Sequence, residues 1–151
     1  MIHKNYIKIL TSNELGYRNG KLSTGQMFYI SKQAILFFPP LSKKINNDSV
    51  ILEINVVYRN SPVFIKLVYH NDKYNRKGGT RDEYRIYLNR EIAPDDYYFR
   101  PDDLIVFERI DSNKYNLKRF RIKNPEFEEL NHLYKKYKLR GQHALINHIQ
   151  I

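Results

Sequence analysis

Alternation of apolar and polar residues recurs along most of this chain and predicts a protein built mainly of β-strands. The clearest runs are residues 50–59 and 63–70, both rich in β-branched and aromatic side chains, with only Asn60-Ser61-Pro62 between them. So short a break predicts that the two runs form an antiparallel hairpin. Further strands are predicted at residues 6–10, 27–30, 104–110 and 115–122.

Two stretches have helical rather than strand character. Residues 32–38 are predicted to form a short helix, with Ser31 as its N-cap and Pro39-Pro40 at its end. A longer helix is predicted from about Pro125, because glutamates lie near its start and lysines near its end, as the helix dipole favours. Its apolar residues recur at helical spacing and are expected to pack on the sheet: Phe127, Leu130, Tyr134 and Tyr137.

The stretch from Gly78 to Leu88 leads from a glycine pair into a strand with two different faces. Alternation puts Arg81, Glu83, Arg85 and Tyr87 on one face, and Tyr84, Ile86 and Leu88 on the other. Residues two apart on a strand lie about 6.6 Å apart, roughly twice the rise of a base pair, so the polar face suits contacts with bases in a major groove. By itself the pattern also fits a surface charge ladder that contributes little stability.

Residues 13–26 form a long polar segment that contains Gly16, Gly20 and Gly25. Because a segment of this length without an apolar pattern is usually either functional or disordered, both interpretations stay open on its residues alone.

Composition limits the kinds of partner. A chain of 151 residues fits one domain with a real core, and 26 Lys and Arg against 16 Asp and Glu give a net charge of +10, which favours phosphate-rich or anionic-membrane partners. The absence of cysteine excludes disulfides, thiolate zinc sites and a cysteine nucleophile. No apolar run approaches the roughly 20 residues of a membrane span, so we expect a soluble cytoplasmic protein with no membrane partner.

The sequence offers two alternatives to a duplex-binding domain, a metal-dependent nuclease and a single-stranded nucleic-acid-binding barrel. Pro94-Asp95 and Pro101-Asp102 supply half of a metal-dependent nuclease motif, but Glu108-Arg109-Ile110 lacks its lysine, so both aspartates are expected to serve turns. The histidines lack metal-ligand spacing and no phosphate-binding loop is present, so no metal or cofactor is expected.

The 13 tyrosines and 8 phenylalanines could stack on single-stranded bases, which makes a single-stranded nucleic-acid-binding barrel the second hypothesis.

Three short motifs carry a family resemblance. Residues 10–16 (LTSNELG), 23–30 (STGQMFYI) and 79–86 (GTRDEYRI) resemble the EcoRII-type N-terminal DNA-recognition domain. That domain has the pseudobarrel fold of plant B-three transcription factors and of other restriction-enzyme specificity domains. The resemblance implies a mainly β, open seven-stranded-type DNA-binding pseudobarrel with short helices and a C-terminal helix. It covers roughly residues 1–122, and residues 123–151 are expected to pack on that domain, as a helix and last strand, or to lead into a further one.

In the family, an N-arm (here residues 10–30) and a C-arm (here residues 79–86) grip the major groove as a wrench grips a bolt. The resemblance implies base-reading roles for Asn13, Thr24, Gln26, Arg81, Glu83 and Arg85. Glu83 is expected either to orient the arginines or to touch a base itself. Contacts with the DNA backbone are expected from Lys21, Ser23, Lys73, Arg76, Lys77 and Thr80.

The chain looks most like the N-terminal specificity domain of a LlaJI-type McrB-like restriction subunit. That resemblance implies a sequence-specific double-stranded DNA-binding domain without catalytic residues, monomeric when isolated. It also implies a nucleotide-driven motor domain in the same parent chain and a separate nuclease subunit as partners.

Overall fold

The computed structural model describes residues 4–18, 20–22, 25–139 and 142–147. The strands are β1 (Asn5–Ile9), β2 (Tyr17–Arg18), β3 (Lys21–Leu22), β4 (Met27–Ile30), β5 (Ser49–Val56), β6 (Val63–His70), β7 (Glu83–Tyr87), β8 (Leu104–Asp111), β9 (Lys114–Phe120) and β10 (His143–Ile146). The helices are a 3₁₀ helix (Lys32–Phe37), α1 (Asp72–Asn75) and α2 (Phe127–Tyr137).

Eight strands form one curled, open sheet in the order β10-β1-β8-β9-β5-β6-β7-β4. Neighbouring strands are antiparallel except for β5 and β9, which are parallel. The short strands β2 and β3 pair separately. This architecture confirms the predicted fold class, and it leaves β4 and β10 as the two edges of the sheet.

The concave face of the sheet encloses an aromatic core. Alternate residues of β6, Val63, Ile65, Leu67 and Tyr69, are buried in it, as their period of two predicts. Phe37, the last residue of the 3₁₀ helix, lies in this core, and its backbone carbonyl accepts a 2.8 Å hydrogen bond from the buried Tyr115 hydroxyl. The largest buried rings are Tyr6, Phe28, Phe37, Phe38, Phe99, Phe107 and Tyr115.

Helix α2 covers the convex face of the sheet over β1 and β8. Leu130 and Tyr134 of the helix pack on Ile7, Leu104 and Val106, with Phe127 partly buried beside them. Tyr137, which was expected on the same face, is 45% exposed. Strand β1 and the first half of β8, Leu104 to Phe107, are therefore buried on both faces. The chain then returns as β10, which pairs antiparallel with β1.

Local signals fixed most element boundaries. Strand β4 lies where the alternation predicts, and the Ser31 hydroxyl accepts a 3.2 Å hydrogen bond from the Gln33 backbone N–H as an N-cap. The hairpin β5–β6 forms as predicted, but β5 ends at Val56 instead of residue 59. Three further details differ from expectation: the 13–26 segment carries its own hairpin, β2–β3, the 71–79 link contains one helical turn, α1, and the strand expected across 78–88 extends only from Glu83 to Tyr87. No helix in the described ranges has the length and apolar character that crossing a bilayer requires.

Candidate nucleic-acid interface

The strands of the two arms, β4 and β7, pair with each other, and their loops leave from opposite ends. Met27 lies opposite Tyr87, and Ile30 lies opposite Tyr84. The loop of residues 11–26, here the N-loop, therefore joins beside the end of β7, where the Leu88 N–H donates to the Gln26 carbonyl at 3.2 Å. The loop of residues 71–82, here the C-loop, joins at the start of β7.

A cluster of polar and aromatic side chains lies between the two loops, on the outward face of β4, β6 and β7. We call this cluster the floor: Tyr29, His70, Glu83, Arg85 and Tyr87. The Arg85 guanidinium bonds the Glu83 carboxylate at 2.5 Å and lies 5.2 Å from the centre of the Tyr29 ring. This carboxylate and ring hold the guanidinium in one orientation.

His70 forms the back of the floor. Its Nε2 lies 2.6 Å from the Tyr87 hydroxyl. Burial lowers the pKa of His70, and the positive charges of Arg81 and Arg85 lower it further, which keeps the ring neutral at pH 7. The floor therefore presents one fixed cation, Arg85, beside a neutral imidazole.

Arg81 does not lie on the strand face that the alternation predicts. It precedes β7, its backbone N–H donates to Asp72 Oδ1 at 3.0 Å, and its guanidinium Nε lies 3.4 Å from the same oxygen. The expected ladder is thus divided, with Glu83 pairing with Arg85 and Arg81 pairing with α1. Thr80, just before it, is exposed.

Asp82 anchors the C-loop to the rest of the domain. Its carboxylate accepts hydrogen bonds from Tyr69 (2.5 Å), Lys32 (2.9 Å) and Tyr74 (3.2 Å), which come from β6, the 3₁₀ helix and α1. Burial acts to raise the pKa of Asp82, but the bonds from Tyr69 and Lys32 outweigh it and hold that pKa below its usual value. The carboxylate is therefore ionised at pH 7, and it ties the C-loop to β6 and the 3₁₀ helix, as well as to its own helical turn α1.

The C-loop and the neighbouring Lys43 carry an exposed group of cations that we call the basic patch: Lys43, Lys73, Arg76 and Lys77. The ammonium groups of Lys43 and Lys73 lie 5.0 and 5.7 Å from the centre of the half-exposed Tyr74 ring. None of the four forms an ion pair within the part of the chain that the structure describes. Their charge is available to an anionic partner.

Glu14 anchors the N-loop in the same way. Its buried carboxylate accepts from the backbone N–H of Tyr29 (2.8 Å) and of Thr11 (3.0 Å), and it pairs with the buried Lys8 ammonium at 2.8 Å. The Glu14 N–H in turn donates to the Thr11 hydroxyl, which completes a reciprocal capping box. Sequence reasoning missed this role, although the Thr-x-x-Glu spacing was a signal for it.

The residues predicted for the N-arm differ in their exposure and in their hydrogen bonding. Asn13 and Lys21 are exposed, and Lys21 lies on β3. The Gln26 amide nitrogen donates to the backbone carbonyls of Leu15 (3.2 Å) and Asp96 (2.8 Å), so its donors already serve the fold. Ser23 and Thr24 lie outside the described residues.

The aspartates of the partial nuclease motif lie in turns. Asp95 Oδ1 accepts from the Tyr97 N–H at 2.8 Å, and Asp102 has a φ of +71°. Nowhere in the described ranges do three or more His, Asp or Glu side chains come together in a way that could hold a metal ion.

Gly79 fits where no other residue would, because its backbone passes directly over α1. A Cβ at this position would lie 2.2 Å from the Asp72 carbonyl oxygen. Gly79→Ala is therefore expected to push the C-loop off α1, breaking the Arg81–Asp72 contacts and lowering the free energy of unfolding by about 1–3 kcal/mol, as overpacking does.

Urea denaturation would measure this loss, with Gly25→Ala as the matched control, since a Cβ at Gly25 meets nothing within 4 Å. Equal stabilities of the two variants would contradict the close approach of Gly79 to α1.

No protein-family model matches the sequence, and no curated protein matches it either. Among solved structures, the chain is similar to the N-terminal domain of Helicobacter pylori LlaJI.R1, with a TM-score of 0.64. The alignment covers 97% of this chain and 99% of that one, and 16% of the residues are identical. A likeness at this identity establishes a shared fold over nearly the whole length of both chains.

Proposed function

We propose that this domain binds double-stranded DNA in a sequence-specific way, with its two loops in the major groove and the floor between them. The observation that carries the proposal is the β4–β7 ribbon, from whose opposite ends two anchored loops project. Three steps along a four-residue strand span about 10 Å, close to the roughly 12 Å width of the major groove.

Arg85 is the base-reading group that the geometry supports best. A guanidinium donates in a fork to guanine O6 and N7, and the Glu83 carboxylate and Tyr29 ring orient this one before DNA arrives. Asn13 and Arg81 reach bases from the two loops, whereas Gln26 supports the N-loop through its bonds to backbone carbonyls. Thr24 keeps its proposed base-reading role and Ser23 its proposed phosphate contact.

The basic patch supplies phosphate contacts that do not depend on sequence. Lys73, Arg76 and Lys77 contact one side of the groove, with Thr80 beside them, and Lys21 contacts the other side. The fold shared with the LlaJI.R1 domain agrees with the resemblance of the arm motifs to restriction specificity domains. We infer a non-catalytic recognition domain in the cytoplasm, part of a restriction system with a motor domain in the parent chain and a separate nuclease subunit.

Selection from a randomised duplex library would test the proposal. We expect one short motif to be enriched and to bind more tightly than scrambled duplex or either of its single strands. Tighter binding of single strands would favour the single-stranded hypothesis. Metal-dependent cleavage by the domain, lost in Asp102→Ala, would contradict a non-catalytic role.

The basic patch is expected to determine how strongly duplex binding depends on salt concentration. Replacing Lys73, Arg76 and Lys77 with alanine is expected to weaken binding to all duplexes alike, and to reduce the slope of log K against log[salt] by about 2–3, because each lost phosphate contact contributes about 0.9. Fluorescence anisotropy across a salt series would measure both effects.

The control removes three exposed lysines outside the basic patch: Lys123, Lys135 and Lys136. It lowers the net charge equally, so a similar change in slope would show that total charge, not the patch, governs binding.

A further inference from the structure

In the part of the chain that the structure describes, the two edges of the open sheet do not pair, and a cleft of about 460 Å³ lies between them. Strand β4 and the start of β7 form one wall, and β1 with the start of β10 forms the other. Six of the residues that line the cleft are Tyr29, Asp82, Glu83, Tyr84, Lys8 and His143. The volume falls within the range of about 300–1,000 Å³ that is typical of small-molecule sites.

His143 gives the cleft an unused polar group. The residue is 1% exposed, its ring meets the Tyr6 ring edge-on at 5.7 Å, and its Nε2 is buried without a hydrogen-bond partner among the described residues. Burial, helped by the positive charge of Lys8, lowers the pKa of His143 to about 4, so the ring is neutral at pH 7. A buried polar atom left unpaired is costly, and a ligand in the cleft would supply the missing partner.

The rest of the lining suits a flat, nitrogen-rich ring. Tyr29 offers an aromatic surface for stacking, and the Glu83 carboxylate, which contacts Arg85 through Oε1, has a second oxygen that can accept from ring N–H or exocyclic amino groups. Tyr84, stacked on Tyr69 at 4.2 Å, and Asp82, bonded to Tyr69, Lys32 and Tyr74, shape the wall beside them. Two of these residues, Tyr29 and Glu83, also belong to the floor, where they hold Arg85. The cleft therefore opens beside the surface that is proposed to face the bases.

We propose that this cleft binds a single nucleobase, stacked on tyrosine and hydrogen-bonded to the imidazole of His143. If the proposed duplex binding holds, the base is one that turns out of the bound duplex. The same chemistry would accept the base of a free nucleoside, so the experiment must separate the two sources.

The first arm uses duplexes of the selected sequence with 2-aminopurine placed at each position in turn. Unstacking raises the fluorescence of this base, so we expect a several-fold rise at one position when the protein is saturating. The second arm titrates each of the four nucleosides while the ring nitrogens of His143 are followed by NMR. The first arm is repeated with His143→Leu, which keeps side-chain bulk but removes the nitrogens. Both arms are repeated with Gln142→Trp, which obstructs the cleft at an exposed residue that lines it.

A fluorescence rise that both variants abolish supports an extruded base, and a shift of the His143 signals with nucleosides alone supports a free one. If the duplex binds specifically but neither signal appears, or if the rise persists in Gln142→Trp, the cleft is not a base site and the proposed function stands. If nucleosides shift the His143 signals but no duplex binds, the proposed function fails and the proposal that the cleft binds a nucleobase stands. Thermal unfolding verifies that each variant is folded. If His143→Leu does not fold, the result with Gln142→Trp decides the outcome.

Discussion

Glu14→Gln is expected to lower the free energy of unfolding by about 3–5 kcal/mol, because it leaves the buried Lys8 ammonium without its counter-charge. An amide also presents hydrogen atoms at one of the two oxygen positions, so either the Thr11 or the Tyr29 backbone N–H loses its acceptor. Urea denaturation would measure the loss, and the same variant should weaken duplex binding because the N-loop loses its anchor.

A matched control is Glu91→Gln, which removes an exposed carboxylate 3.8 Å from Arg59 and should cost less than about 1 kcal/mol. In a double-mutant cycle, Lys8→Met with Glu14→Gln should cost clearly less than the sum of the two single changes, since no unpaired buried charge remains. If Glu14→Gln costs no more than Glu91→Gln, the carboxylate does not anchor the loop.

The strands were predictable because their signal is local. In β6 every second residue is a large apolar one, and the short break before it favours a hairpin, so β5 and β6 could be predicted without any knowledge of the rest of the chain. The apolar face of α2 was readable for the same reason, at a period of 3.6. The resemblance of the arm motifs added the expectation that these strands form an open pseudobarrel.

The features that the sequence did not predict are contacts between residues that are distant in sequence. Nothing near Glu14 indicates that Lys8 and the Tyr29 backbone surround it, and nothing near Arg81 indicates that a single turn of helix brings Asp72 beside it. The cleft is a still longer-range property, because it exists only where β4 and β10, separated by more than a hundred residues, become opposite edges of one sheet. The period of an isolated strand contains no information about such neighbours.

Arg85→Ala is expected to weaken binding to the selected site by about 1–3 kcal/mol, roughly 5- to 150-fold in Kd, with a much smaller effect on scrambled duplex. Arg85→Lys should not restore the loss, because an ammonium lacks the planar fork that contacts two guanine acceptors at once. Arg59→Ala, at an exposed arginine in the β5–β6 turn, is the control and should change both affinities little. Equal losses on the specific and scrambled duplexes in Arg85→Ala would contradict base readout and leave only a phosphate contact.

A double-mutant cycle between Arg85 and Glu83 then separates the two roles open to the glutamate. If Glu83 only orients the guanidinium through their 2.5 Å contact, Glu83→Gln weakens specific binding in the wild-type background and has no further effect in Arg85→Ala. If Glu83 itself accepts from a cytosine amino group, the loss persists in Arg85→Ala and is confined to one base pair of the site. The contact with Tyr29, which holds Arg85 from the other side, favours the first result, because a guanidinium fixed by both a ring and a carboxylate reaches the DNA with little orientational freedom left to lose.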